Sequence, residues 1–323
     1  MAIGSIQRWR SLSQVGFFAL FVLAPPLNIF RYDLRLGNFI VFGQNWILGI
    51  NSGIDALHQS SSDAAMNVLL FGLLPVVLLA IGFLWVAWRW GRIYCGWLCP
   101  HFSVVELVNR LMQRATGKPS LWEKKVLPEK QPDGSIHKPN RWYWIPTLIM
   151  VLIFSLLWTI SLMTYLLPPF EIYSNLLNAE LSRNQSIFLI AATTAFCIEF
   201  LVTRHLFCRY GCAVGLFQSL VWMANRRALV ISFDSNRAQA CKSCNIACDN
   251  SCPMRLQPRT IKRKMFACTE CGECISACSK VQGGEQQSLL HWVQGEAAEK
   301  ISEPPMSFPG YKSDFKEPLW KSR

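Results

Sequence analysis

Charge is scarce in this sequence. Only 16% of its 323 residues are Asp, Glu, Lys or Arg, against about 25% in soluble domains. Hydrophobic residues make up 51% and the mean hydropathy is +0.23. That deficit excludes an ordinary soluble protein and points to a membrane one. Acidic side chains are scarcer still, 20 against 32 Lys and Arg, for a formal net charge of +12. No Cys-x2-Cys-His occurs, which excludes a c-type haem. No G-x-G-x-x-G or Walker pattern occurs, so nothing argues for a nucleotide or flavin site. No Ala-x-Ala follows the first apolar stretch, so that stretch is expected to be a retained helix and not a cleaved signal.

What the chain has instead is long uncharged runs. A span needs about 20 apolar residues to cross roughly 30 Å of hydrocarbon. Four runs meet that length: residues 11–30, with the last turn broken by Pro25 and Pro26, then 64–88, 142–167 and 184–203, the last interrupted by Glu199. Tryptophans gather at their ends (Trp85, Trp88, Trp90, Trp142, Trp144), as an interfacial belt requires. Of the 32 Lys and Arg, 29 lie in residues 1–10, 89–141 and 204–323 and three in residues 31–63 and 168–183. Positive charge marks the cytoplasmic side. The expectation is a multi-pass protein of a bacterial inner membrane, with both termini and the cysteine-rich segment cytoplasmic. Topology accounts for the basic excess, so lipid is the expected partner and nucleic acid is not. Residues 31–63 hold no cysteine; cytoplasmic cysteines stay reduced, so the cysteines are read as metal ligands and not as a disulfide framework.

The chain also repeats itself. Arg92-Ile-Tyr-Cys95-Gly-Trp-Leu-Cys99 follows the second run, and His205-Leu-Phe-Cys208-Arg-Tyr-Gly-Cys212 follows the fourth, 113 residues later. Each is followed by a short apolar stretch, 102–112 and 214–224. At ~1.5 Å per residue these reach only ~17 Å, too short to cross, and read as amphipathic helices on the cytoplasmic surface. The expected fold is therefore a four-helix membrane domain, residues 1–227, built from two repeats of transmembrane hairpin, Cys-x3-Cys and surface helix. A two-cluster ferredoxin-like domain follows at 228–282, and an irregular cytoplasmic tail at 283–323.

Eight of the 13 cysteines fall within residues 241–278. Cys268-x2-Cys271-x2-Cys274-x3-Cys278 is the spacing at which one tight turn offers three thiolates to a cubane while the fourth cysteine ligates a second cluster. A zinc site would use two Cys-x2-Cys knuckles instead. Cys241-x2-Cys244-x3-Cys248-x3-Cys252 is the partner motif, with one residue too many in its middle gap. That residue is absorbed as a bulge, or it leaves a three-iron cluster or a free thiol. Two [4Fe–4S] clusters are expected, on Cys241, Cys244, Cys248 and Cys278 and on Cys252, Cys268, Cys271 and Cys274. Lys242, Arg255, Arg259, Lys262, Arg263 and Lys264 surround them; cations there raise cluster potential and dock anionic partners, or simply follow the charge rule of the cytoplasmic face. Cys95, Cys99, Cys208 and Cys212 read either as small buried hydrophobes or as one shared thiolate site, iron–sulfur or copper. Cys197, inside a span, reads as packing. Glu199, one turn from Arg204, is either a structural carboxylate near the interface or a quinol-linked proton acceptor. His101 and His205 stand at helix ends, where solvated rings are commoner than ligands. No residue is assigned a catalytic role.

The order of spans, Tyr-Cys-Gly-Trp-Leu-Cys-Pro at 94–100, Phe-Cys-Arg-Tyr-Gly-Cys at 207–212 and the paired cluster motifs resemble the membrane polyferredoxins NapH, NosR and CcoG, over roughly residues 10–280. Phe39-Ile-Val-Phe-Gly-Gln-Asn-Trp46 resembles the loop after the first span of the CcoG type. Ala213 and Ser279 stand where those proteins usually have proline. The extracytoplasmic C-terminal domain of the CcoG type and the flavin-binding region of NosR have no counterpart. The resemblance implies electron transfer from quinol or a cytoplasmic donor to a redox partner protein. For the CcoG branch it implies Cu(II) reduction during assembly of a copper oxidase. A copper-handling assembly factor and a redox sensor are the rival readings to a plain electron carrier.

Overall fold

The computed structural model describes residues 3–46, 60–118, 121–123, 126–129, 136, 138–242 and 244–302. Three helices are long and apolar enough to cross a membrane: Ser61–Trp90 (α2), Arg141–Leu166 (α5) and Arg183–Thr203 (α7). A fourth, Ile3–Leu23 (α1), carries Arg8 and Arg10 in its first half. The sequence leads one to expect it at 11–30; it starts earlier and stops at Leu23, because Pro25 and Pro26 cannot continue it. Pro75 is accommodated in α2 by a π-helical stretch, Val68–Leu73, just before it, which takes up the carbonyl the proline ring would strike.

The membrane helices are built inside out. On α5, Thr147, Ser155, Thr159, Ser161 and Thr164 are buried while Leu148, Ile149, Leu152 and Ile153 are exposed. Small and hydroxylated side chains let helices approach closely in lipid, where apolar surface is at no disadvantage facing outward. Thr193 of α7 meets Thr159 of α5 at 3.2 Å. α1 packs on α5 through Phe18–Phe154 and Phe21–Trp158, ring centroids 5.6 and 4.5 Å apart. Beyond α1 the strands Phe30–Asp33 (β1), Asn38–Val41 (β2) and Gln44–Trp46 (β3) form an antiparallel sheet. Phe42 and Gly43, both at positive φ, make the two-residue turn that suits a twisted hairpin.

Between the spans and the cysteine-rich segment lie Ile93–Trp97 (α3), Pro100–Thr116 (α4) and Ala213–Ala224 (α8), whereas Pro169–Leu177 (α6) follows α5 at its other end, where Arg35 Nη2 donates to Glu171 Oε1 at 2.7 Å. Residues 102–112 are expected on the membrane surface, but α4 is wrapped by protein: Phe102, Val104, Val105, Val108 and Met112 are all buried. α8 exposes Val214, Phe217 and Leu220 and buries Gly215, Gln218, Ser219 and Trp222.

The cysteine-rich segment holds Ala247–Ser251 (α9) and Glu273–Gln282 (α10). It is closed by Val230–Phe233 (β4) pairing antiparallel with Leu290–Val293 (β5). The sequence reading takes 283 onward as irregular; a strand and a helix, Glu296–Ser302 (α11), stand there, with Leu289, Leu290 and Ala298 buried. Four residues are too few to show a strand period, and β5 exists because β4 supplies its partner some sixty residues back. The remainder of that tail, 303–323, lies outside the described residues.

Candidate iron–sulfur sites

The eight ferredoxin-type cysteines lie near one another in the segment 241–278. Cys241 lies within electrostatic reach of Cys244 and Cys278, and Cys248 of Cys244. Cys268 is coupled to Cys271 and Cys274, and both Cys271 and Cys274 to Cys252. Cys252, Cys268, Cys271 and Cys274 line one small cavity, whose other walls include Ile231, Met254, Leu256 and Met265. Cys274 also feels Cys248, so the two sets adjoin. The extra residue of the first motif is taken up by Asn245 and Ile246, both in the left-handed region at φ 46° and 53°. For a β-branched isoleucine that backbone is a true outlier, tolerated where a ligand loop must be held.

Burial dominates these thiols. It pushes Cys241, Cys248 and Cys252 up, Cys268 and Cys274 well up, and Cys271 to about 12 against the opposing charge of Arg10. A thiol so placed stays neutral until a metal's charge expels its proton. Backbone N–H groups wait for the resulting sulfur charge: Leu256 donates to Cys252 Sγ at 3.4 Å and Leu289 to Cys278 Sγ at 3.3 Å. Four thiols around a dry cavity, with amides aimed at sulfur, fit a cubane.

The second place where cysteines meet is the membrane face. Cys95, Cys99, Cys208 and Cys212 come together: Cys208 feels Cys99, Cys95 and Cys212, and Cys99 feels Cys95 and Cys212. Burial raises Cys95 and Cys208, and carries Cys99 to about 11 against the backbone N–H groups of Phe102 and His101. Cys99 is the N-cap of α4 and Cys212 the N-cap of α8, with matching backbone (φ −65°, ψ 115° and φ −79°, ψ 106°). Gly215 N–H donates to Cys212 Sγ at 3.5 Å. Each thus sits at a helix N-terminus. Mutual coupling would also be expected of a mononuclear site, yet among the described residues no three His, Cys, Asp or Glu side chains close to the spacing of a single ion. Cys197 packs against the core.

The membrane-face loop touches the second ferredoxin-type motif directly. A Cβ on Gly96, between Cys95 and Cys99, would lie 2.2 Å from the backbone oxygen of Thr269, between Cys268 and Cys271. Trp97 Nε1 donates to Glu270 O at 3.1 Å, Arg10 Nε to Gly96 O at 2.9 Å and Gln7 Nε2 to Cys271 O at 3.0 Å. Arg10 also pairs with Glu106 and, at 2.9 Å, with Glu273. None of this contact is visible in the sequence, although a glycine inside Cys-x3-Cys hints at a close approach.

Glu199 Oε1 lies 2.9 Å from His101 Nε2, with no hydrogen bond between them, while Arg204 Nη1 donates to Asn109 Oδ1 at 2.8 Å. The His101 ring stacks on Phe200 and stands edge-on to Trp158 and Phe207, so it is not a solvated ring. His205 is buried as well, and burial with the nearby charge of Arg204 lowers it to about 4.

The model of a 4Fe-4S binding domain family matches the chain twice, over residues 73–119 and 185–231. The first match contains Cys95 and Cys99 and the second Cys208 and Cys212; neither reaches the motifs at 241–278. Similar proteins include an uncharacterized protein of Methanocaldococcus jannaschii, 27% identical over 59% of this chain. YccM of Escherichia coli, named as an electron transport protein, is 26% identical over 65%. The regulatory protein NosR of Pseudomonas aeruginosa is 23% identical over 57%. The chain spans 70% of the first, 56% of YccM and 23% of NosR. No solved structure matches it. Repeated 4Fe-4S binding domains joined to apolar helices define an iron–sulfur membrane protein. Within that class its similarity is to proteins such as YccM and NosR.

Proposed function

We propose that the chain is a membrane-anchored electron carrier that holds three [4Fe–4S] groups in a row. Cys241, Cys244, Cys248 and Cys278 would hold the first, Cys252, Cys268, Cys271 and Cys274 the second, and Cys95, Cys99, Cys208 and Cys212 the third. Each such group supplies a one-electron carrier when bound. The contact of Gly96 with Thr269 carries the reading, because it sets the loop of the third site against the loop of the second. The electron donor, quinol or cytoplasmic, and the redox partner protein belong to the same proposal. The two matches to a 4Fe-4S binding domain, one on each Cys-x3-Cys, support a cluster over copper at that site and support the repeat.

Four spans are part of the proposal. α1 exposes Leu12, Val15, Leu20 and Leu23 in the manner of the three apolar helices α2, α5 and α7 and packs alongside α5, which supports its lying in lipid. With 29 of 32 basic residues on one side, both termini and all three sites are assigned to the cytoplasmic face. Protein purified anaerobically is expected to hold about twelve iron and twelve sulfide per chain, four of each per cubane. Zinc with no brown colour defeats the reading outright. A C-terminal alkaline phosphatase fusion is expected to be inactive, and an active one overturns the orientation.

A further inference from the structure

Arg92 is a charge with nothing described to answer it. Its side chain is fully buried, at 0% exposure. Nη2 donates to Cys208 O at 2.7 Å and lies 3.8 Å from Cys95 Sγ. Nε and Nη1 are buried with no hydrogen-bond partner, and among the described residues no carboxylate pairs with it. A buried guanidinium is tolerated when an anion compensates it. The fold goes out of its way to keep it there: at Gly215 of α8 any Cβ would come within 2.2 Å of Nη2 and 2.9 Å of Cζ. That glycine, on one half of the molecule, is the socket for an arginine from the other.

We infer that Arg92 is the built-in counter-charge of the group held by Cys95, Cys99, Cys208 and Cys212, and that it sets this site's reduction potential above the value it would have without the guanidinium. The inference rests on the proposed four-thiol cluster. Four thiolates around a [4Fe–4S] core give a net dianion in the oxidised state. One electron, delivered by the neighbouring ferredoxin-type cluster, makes it a trianion with no bond made or broken and no proton required. An arginine is a fixed cation that stabilises the more negative state more, and so favours reduction. The position equivalent to Arg92 in the second repeat is His205, 113 residues on. Burial holds its pKa at about 4, so the pair of halves supplies one cation and not two.

The test is an EPR-monitored redox titration, with iron counted on each sample, of the full chain in detergent as wild type, Arg92→Lys, Arg92→Met and Gly215→Ala. In R92M one of three signals is expected to fall in potential by about 59 mV or more, a tenfold change in a one-electron equilibrium, with the other two unmoved. R92K, which keeps the charge, is expected to move by less than R92M. Unchanged potentials in fully loaded R92M, or an equal fall of all three signals, overturn the inference. Should R92M lose the third set of iron, G215A decides: it retains the arginine but displaces the guanidinium, and an unchanged potential there overturns the inference too. Wild-type protein with only about eight iron is a different failure, since it removes the four-thiol cluster itself and the inference with it.

Discussion

Gly91 and Arg204 stand 113 residues apart, each directly after a membrane helix, and the chain bends in the same way at both: φ 69°, ψ −142° at one and φ 44°, ψ −119° at the other. Glycine reaches that region freely, whereas for an arginine it stores on the order of 1–3 kcal/mol. Each bend leads into a Cys-x3-Cys whose last cysteine caps a helix with the same backbone. From there the halves part. α4 turns an apolar face into protein, beneath the ferredoxin-type segment, and anchors Arg10 through Glu106. α8 turns its apolar face outward and keeps glycine, glutamine and serine inside. Arg92 sits buried and charged where the other half has His205. The backbone plan is thus held in common, while the side chains differ: one half packs against the cysteine-rich segment, and the other turns an apolar face outward.

The largest effect that can break this comparison is on iron. If the halves share one site, Cys95→Ser and Cys208→Ser should each remove about four of about twelve iron, a whole cubane. Cys197→Ser should remove none. Cys95→Ser and Cys208→Ser variants that both keep the full complement of iron would show two separate pairs of packing cysteines instead.

A smaller effect separates the halves. Gly96 is pressed against Thr269, whereas Arg209, its equivalent, is partly exposed and lies over the Tyr210 ring at 5.1 Å. Gly96→Val should therefore cost about 1–3 kcal/mol of stability, as overpacking does. Arg209→Val should stay within about 0.5 kcal/mol. Thermal unfolding in detergent measures both, and equal losses would mean that the contact with the second cluster loop is of no structural consequence.

How much of this could be read from the sequence follows from range. Local spacing exposed the cubane motifs, because three thiolates on one turn need a fixed interval. The repeat was legible because Cys-x3-Cys recurs at a constant offset. Uncharged length marked the three apolar helices. Hidden were the features that depend on distant partners: β5 on β4, the burial of α4 under the ferredoxin-type segment, the approach of Gly96 to Thr269 and the pairing of Glu199 with His101. Arg92 left a faint signal, a lone cation three residues before a cysteine at the point that His205 occupies in the other half. A sequence alone gives no reason to think it buried.

The smallest expected effect concerns that same pair of positions and depends on pH. An unfolded histidine binds a proton near pH 6.5, but burial lowers His205 to about 4 in the folded chain. Between those values the unfolded state holds more protons than the folded one, so stability must fall as pH falls. Above about pH 6.5 both states are neutral at this site and the contribution is flat. From pH 7 to pH 5.5 the folded chain should lose about 1 kcal/mol through this one ring, one pH unit below 6.5 being worth about 1.4 kcal/mol. Thermal midpoints of wild type and His205→Gln, followed by tryptophan fluorescence at pH 7.0, 6.0 and 5.5, isolate the difference, since acid damage to the clusters is common to both. The midpoint of wild type should fall faster than that of the variant on the acid side. Parallel curves would mean that the ring is protonated in the fold, and that the two halves present two cations to the thiols between them.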